Sequence, residues 1–182
     1  MKKLNLGCGK NRSIPDAVTV DINPEIGPDI VHDLNKFPWP FPDNEFHEIY
    51  CFDILEHLED VLLTMEEIHR IGVPGGKVFI TTPHFSSRNA FTDPTHRHFF
   101  GIHSFDYFSI NGHPDYSKWN FYSFAKFEKL KVKLQFEHNF INKFIWRLAY
   151  RYPDFWERRL SWIFPAWFMD IELKIIKPGN QF

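Results

Sequence analysis

Over the first 83 residues, short apolar runs alternate with turn residues. Lys3 to Gly7 and Ala17 to Ile22 read as strands, each ending in a turn that contains glycine or aspartate. Pro28 to His32 reads as a third strand, Phe46 to Phe52 as a fourth, and Lys77 to Thr82, closed by Pro83, as a fifth. Between the fourth and fifth the period lengthens. Leu55, Leu58, Leu62, Met65, Ile68 and Ile71 recur at helical spacing, and Gly72 to Gly76 ends the helix. The loop Phe37 to Asn44 contains Pro38, Pro40 and Pro42, which remove donors and restrict the residues before them, so it is irregular.

Strands alternating with helical or irregular crossovers predict a parallel sheet covered on its faces. Gly9 to Val18 is too short for a full crossover helix, so the first helix is a single turn or missing. After Pro83, residues His84 to Phe124 have no clear period, and an irregular stretch of that length in a compact domain is usually functional. Phe127 to Glu137 alternates like a strand, with Leu130, Val132, Leu134 and Phe136 on one face. Phe140 to Tyr152 is amphipathic, with Phe140, Ile141, Phe144, Ile145, Leu148, Ala149 and Tyr152 in one stripe. Arg158 to Phe168 reads as an aromatic-rich helix, and Asp170 to Lys177 as the final strand. The expected organisation is one α/β domain over residues 1–182. Residues 1–83 form a ligand-binding core, 84–126 an acceptor-side insertion, and 127–182 C-terminal strands with an aromatic helical insertion.

Composition narrows the classes. A chain of 182 residues fits one core, and 43% hydrophobic with 24% charged residues is a globular balance. A net charge of -2 argues against a general nucleic-acid binder. The 2 cysteines have neither metal-type nor disulfide-scaffold spacing. The start has no apolar signal-peptide core and no apolar run spans a bilayer, so the expected location is cytoplasmic, with reduced thiols. Aromatics reach 18%, many of them after Phe99.

The chemistry starts at Asn5-Leu6-Gly7-Cys8-Gly9-Lys10. Two glycines after a strand permit a tight turn and let backbone N–H groups approach a ligand. Asp21, at the next strand end, can accept from ribose hydroxyls, or it is a cap or turn residue. Leu4 to Asn11 resembles the first motif of class I S-adenosylmethionine-dependent methyltransferases, and Val18 to Ile22 their second. Phe41 to Ile49 resembles that family's approach to its fourth strand. Leu55-Glu56-His57-Leu58 resembles the start of the following helix, and Arg70 to Val78 the turn into the fifth strand. The resemblance runs from Leu4 to Pro83, in order and spacing.

The resemblance implies a Rossmann-like fold: a mostly parallel twisted sheet with an antiparallel C-terminal strand, helices on both faces and a shortened first crossover helix. It implies S-adenosylmethionine as cofactor and methyl transfer as reaction. Gly7, Cys8 and Gly9 would pack on the methionyl portion and ribose. Asp21 would hold the ribose hydroxyls, Ile22 would pack on the adenine, and Asp33 and Leu34 would contact its amino group and ring. Phe52 and Asp53 would lie beside the sulfonium, with the Phe52 ring face toward the cation. Asn5 stands where the family commonly has an acidic residue, and Asn11 replaces a third glycine.

Acceptor-side candidates follow the fifth strand. His84, Asp93, His96 and His98 form an acid/base and orienting set, or a turn at Asp93 to His96 with exposed histidines; a divalent metal held by them ranks lower. His57 is a pocket residue or an ordinary first-turn residue. The expected function is methyl transfer to a small-molecule acceptor, lipid- or glycan-linked in one version. The rival is a non-catalytic nucleotide-binding module that binds a protein through its aromatic face. If His84 to Phe100 lines the reacting side, the enzyme is favoured. For residues 140–168 the expectations are a sheet cover, a homodimer face, a lid for a greasy acceptor, or a peripheral membrane patch.

Overall fold

A computed structural model describes residues 1–10, 13–137 and 142–177, with the side chains of residues 142–144 outside the description. Asn11, Phe140, Ile141 and the Phe144 side chain, all named above, lie outside it. Seven strands form one sheet: β1 (Lys3–Leu6), β2 (Ala17–Asp21), β3 (Ile30–Val31), β4 (Phe46–Phe52), β5 (Gly72–Pro83), β6 (Lys126–Gln135) and β7 (Phe168–Ile176), in the order β3-β2-β1-β4-β5-β7-β6. The pairings from β3 to β5 are parallel, and β7 runs antiparallel to both β5 and β6. The predicted sheet is the one observed.

Burial explains the strand patterns. Leu4, Asn5 and Leu6 are consecutive and buried, as in a central strand covered on both faces. In β7 every second residue is buried, namely Met169, Ile171, Leu173 and Ile175. In β6 the predicted face holds for Val132, Leu134 and Phe136 but not for Leu130, which is 43% exposed, whereas Phe127 is buried. Lys129 pairs with Leu173 and Lys131 with Glu172, so Leu130 is an extra residue. This one-residue bulge moves the alternation from odd to even positions.

No helix joins β1 to β2 among the described residues, as the short span requires. The helix expected from Leu55 is broken: a 3-10 turn covers Leu55–His57, and α1 starts only at Val61 and ends at Ile71. Asp60 is its N-cap, accepting from the Leu63 N–H at 2.9 Å. The 84–124 stretch holds short pieces, α2 (Arg88–Thr92) and α3 (Pro114–Ser117) with 3-10 turns at Ser104–Phe108 and Asn120–Tyr122. Two helices lie between β6 and β7, α4 (Asn142–Arg151) and α5 (Pro153–Arg159). The helix predicted over Arg158 to Phe168 is corrected: α5 ends at Arg159, and turns continue toward β7. Pro153 fixes the first turn of α5, and its buried Trp156 anchors it.

The proline-rich loop is held by one guanidinium. Arg70 donates to the carbonyls of Phe41 (2.8 Å) and Trp39 (3.1 Å), to Asp43 (2.7 Å) and to both oxygens of Glu67 (2.7 and 2.8 Å). Glu67 also accepts from the Trp39 N–H at 2.8 Å. Arg70→Ala would leave these acceptors without a charged donor, and we expect a loss of roughly 2–3 kcal/mol in urea unfolding. An unchanged midpoint would show that the loop stands without it.

His103 ties the 84–126 stretch to α5. Its Nδ1 lies 2.6 Å from Asp106 and its Nε2 2.5 Å from Asp154, while Lys129 also meets the Asp106 carboxylate. Burial alone would pull its pKa down, but the two carboxylates outweigh burial and hold it above the usual histidine value. The stabilisation is therefore full below about pH 6.5, the unfolded value, and is lost as pH rises through the folded one. The stability difference between wild type and His103→Ala should shrink on going from acid to alkaline pH; a constant difference would remove the assignment.

Candidate functional site

The β1 tip turns through two left-handed glycines, Gly7 (φ 61) and Gly9 (φ 54). A Cβ on Gly7 would stand 2.6 Å from Ile54 Cδ1 and 3.0 Å from Ile54 Cβ, so glycine is required both by the conformation and by the packing. The Cys8 N–H donates to the Val20 carbonyl at 3.1 Å. Asp21 Oδ2 accepts from the Gly9 N–H and Oδ1 from the Asn23 N–H, each at 3.0 Å. This carboxylate therefore braces the bend and stands at its mouth. Cys8 is buried, and burial, with the Asp21 charge second, pushes its thiol pKa up, which disfavours the thiolate.

Gly7, Asp21, Ile22, Asp33, Leu34 and Ile54 wall one hollow, with His57 and Leu58 beside them. Asn35 closes its far side, its Oδ1 accepting from the Glu59 N–H at 2.8 Å. Two carboxylates set around apolar side chains suit a ligand with hydroxyl donors and a flat apolar ring. Five predicted positions thus meet in one place: Gly7, Asp21, Ile22, Asp33 and Leu34. Asn5 is buried within β1, and Cys8 and Gly9 form the backbone of the bend behind the hollow.

A second hollow adjoins the first at His57. Its walls include Asp53, Glu56, His57, Asn89, Asp93 and His96. Asp53 takes a left-handed conformation (φ 52), and its N–H is held by the Thr81 carbonyl at 2.8 Å. Phe52 walls neither hollow; its ring stands edge-on to Tyr50, with centroids 5.6 Å apart.

Of the four acceptor-side candidates, two line this hollow. Asp93 and His96 do. His98 stays off its walls, with Nε2 3.3 Å from the Glu59 carbonyl. His84 is corrected to an internal strut. It is fully buried, its Nδ1 accepts from the Ser86 hydroxyl (2.7 Å) and N–H (3.2 Å), and its Nε2 donates to Glu157 at 3.0 Å. Helical periodicity from Leu55 onward predicts a helix start at Glu56 and leaves His57 as a pocket or first-turn residue; the structure sets His57 on the walls of both hollows. The signal against a helix start there was Asp60, a cap directly before Val61, which leaves 55–57 as a separate turn over the hollow. Burial, then the neighbouring His96, hold the His57 pKa below the usual value, and the Thr95 hydrogen bonds hold Asp93 low.

The family model described as a methyltransferase domain matches residues 4–119. No curated protein matches the sequence. Among solved structures, the chain is similar to a SAM-dependent methyltransferase from Archaeoglobus fulgidus (TM-score 0.57, 18% identity, covering 95% of this chain and 85% of that one). It is also similar to an S-adenosylmethionine-dependent methyltransferase from Mesorhizobium loti (TM-score 0.58, 14% identity, 95% and 90%). A third, the [4+2]-cyclase SpnF, gives 0.57 at 14% identity over 96% and 74%. At these identities the structural likeness establishes the fold.

The Gly7 packing is directly testable. Gly7→Ala should cost about 1–2 kcal/mol from the left-handed backbone alone, plus the clash with Ile54. Adding Ile54→Ala should recover part of that loss in thermal unfolding, and strictly additive effects would mean that the two do not touch.

Proposed function

The chain belongs to the methyltransferase-domain family and is an S-adenosylmethionine-dependent enzyme of methyl transfer, and from that premise we propose that the first hollow holds the cofactor's adenosine and the second its methyl acceptor. The residues fit the cofactor. The bend at Gly7 is a cradle that a Cβ would fill, and each Asp21 oxygen keeps acceptor capacity after its one backbone bond. Asp33 and Leu34 offer one polar and one apolar contact on the opposite wall. When bound, S-adenosylmethionine supplies an activated methyl group. The protein's share is to orient, to exclude water and to handle the acceptor.

One observation carries the enzyme reading over a non-catalytic module. Residues 89–96 turn inward and complete the second hollow with Asp53, Glu56 and His57 instead of packing away from it. We read the acceptor as a small molecule with a polar head and an apolar portion, lipid- or glycan-linked. In support, Phe91 and Phe99 are exposed and stacked with centroids 4.6 Å apart, next to the hollow-lining Thr92. The same reading brings residues 140–168 to a membrane surface, supported by exposed Tyr152, Phe155, Trp162 and Ile163 beside Arg158 and Arg159. No helix among the described residues is long and apolar enough to cross a bilayer.

Calorimetric titration with S-adenosylhomocysteine tests the central assignment. Wild type should bind, and Asp21→Ala should bind roughly 10–100-fold more weakly, since a charged hydrogen-bond acceptor is lost at a half-enclosed site. Unchanged affinity in the variant would remove Asp21 from the site, and no binding by wild type would remove the cofactor assignment.

A further inference from the structure

Methyl transfer to a hydroxyl makes a demand that transfer to an amine does not. An amine attacks through its lone pair, and its product is a stable ammonium that water can deprotonate later. A hydroxyl would become an oxonium, so its proton must leave as the new bond forms, and a positioned base has to take it. Such a base must stand where cofactor and acceptor meet. Among the described residues, His57 alone lines both hollows.

Its ring is held from two sides. The Thr95 hydroxyl donates its one proton to Asp93 Oδ1 at 2.6 Å, so its oxygen is left to accept from His57 Nδ1–H at 2.8 Å. The same Asp93 oxygen accepts from the Thr95 N–H at 2.9 Å, and these two bonds hold its carboxyl below the usual carboxylate range, so the relay ends on a full charge. The His96 ring packs edge to face on the imidazole, with centroids 4.6 Å apart, and is itself fixed by donating from Nδ1 to the Ala90 carbonyl at 3.0 Å.

The nitrogen left over is Nε2. It has no hydrogen-bond partner among the described residues, and with the proton kept on Nδ1 it carries a lone pair. Burial first, then His96, holds the ring below the usual histidine value, so at neutral pH it is uncharged and able to accept a proton. Once it has done so, the Asp93 charge stabilises the imidazolium through Thr95. His96 lacks this arrangement, since it lines only the acceptor-side hollow and its Nδ1 rests on an uncharged carbonyl.

We propose that His57 is the general base of the reaction, with Thr95 and Asp93 as positioning residues behind it, and that the acceptor presents a hydroxyl. The acceptor oxygen bonds to the methyl carbon while the carbon–sulfur bond breaks and leaves its electron pair on sulfur. The hydroxyl proton passes to His57 Nε2 and from there to water. The proposal rests on the assignment of the second hollow to the acceptor.

The test uses the full chain loaded with S-adenosylhomocysteine, and 4-nitrophenol, coloured only when ionised, as the hydroxyl probe. Phenolate absorption of the bound probe should rise at lower pH than that of the free probe, and His57→Gln should remove this shift. Asp53, Glu56, Asp93 and His96 on one side, and Asp21, His32 and Asp33 on the other, also face the ring, so the shift is read as the difference between wild type and variant. Thr92→Trp, which fills the acceptor-side hollow, should abolish probe binding. With radiolabelled S-adenosylmethionine, His57→Gln should lower transfer to the protonated probe by about 10²–10⁴-fold, and the gap should close as pH rises through the probe's own ionisation, because a phenolate needs no base. Long-range proton–nitrogen correlation spectra should place the His57 proton on Nδ1, and Thr95→Val should mix the two tautomers. Thermal unfolding confirms that each variant is folded. An equal phenolate shift in wild type and His57→Gln, or a proton resident on Nε2, overturns the base. Failure of loaded wild type to bind the probe overturns the hydroxyl acceptor. Probe binding that survives Thr92→Trp overturns instead the acceptor assignment of the hollow.

Discussion

The carboxylate of Asp21 is the constraint on which the rest of the site depends. With no helix between β1 and β2 among the described residues, nothing regular holds the glycine bend against the sheet. The Cys8 N–H to Val20 bond and the two backbone bonds to Asp21 do so instead. Each oxygen uses one bond for the bend and keeps capacity for a ligand, so the same group sets the shape of the hollow and faces its contents. A shortened crossover thus shifts a structural duty onto the residue proposed to hold the ribose.

The second determinant is a break. Had the helical period that starts at Leu55 run unbroken into α1, Glu56 and His57 would sit in an ordinary first turn. Asp60 caps α1 from outside, Leu58 is extended, and residues 55–57 form a separate turn. That turn presents Glu56 and His57 to the hollow while Leu55 stays in the core. The Glu56 carbonyl accepts from the N–H groups of Arg97 (2.7 Å) and His98 (3.2 Å), which brings the incoming 93–98 segment alongside. Backbone, not side-chain chemistry, therefore brings His96 to His57.

These points show what the sequence made legible. Strand patterns are local, and the order of motifs from Leu4 to Pro83 carried the parallel sheet and the grouping of Gly7, Asp21, Ile22, Asp33 and Leu34 around one hollow. Residues after Pro83 form short pieces held by distant partners, such as Glu157 for His84 and Asp154 for His103, and no local period encodes those. The same limit explains His84. A histidine straight after a strand looks like a mouth residue until α5 supplies Glu157 to bury it. The bulge at Leu130 was invisible for a related reason, since register is set by the partner strand.

The fold itself leaves the reaction open: the chain resembles a [4+2]-cyclase as closely as it resembles two methyltransferases. What separates reactions on this sheet is the wall opposite the cofactor. Under the proposed assignment that wall carries Asp53, Glu56, Asp93, His57 and His96. On the proposed reading, the exposed Phe91–Phe99 pair beside the hollow would meet the apolar remainder of the acceptor, with its polar end inside. On that proposal specificity would lie in residues 84–126, which form short pieces outside the parallel part of the sheet and can change without disturbing the bend that Asp21 holds.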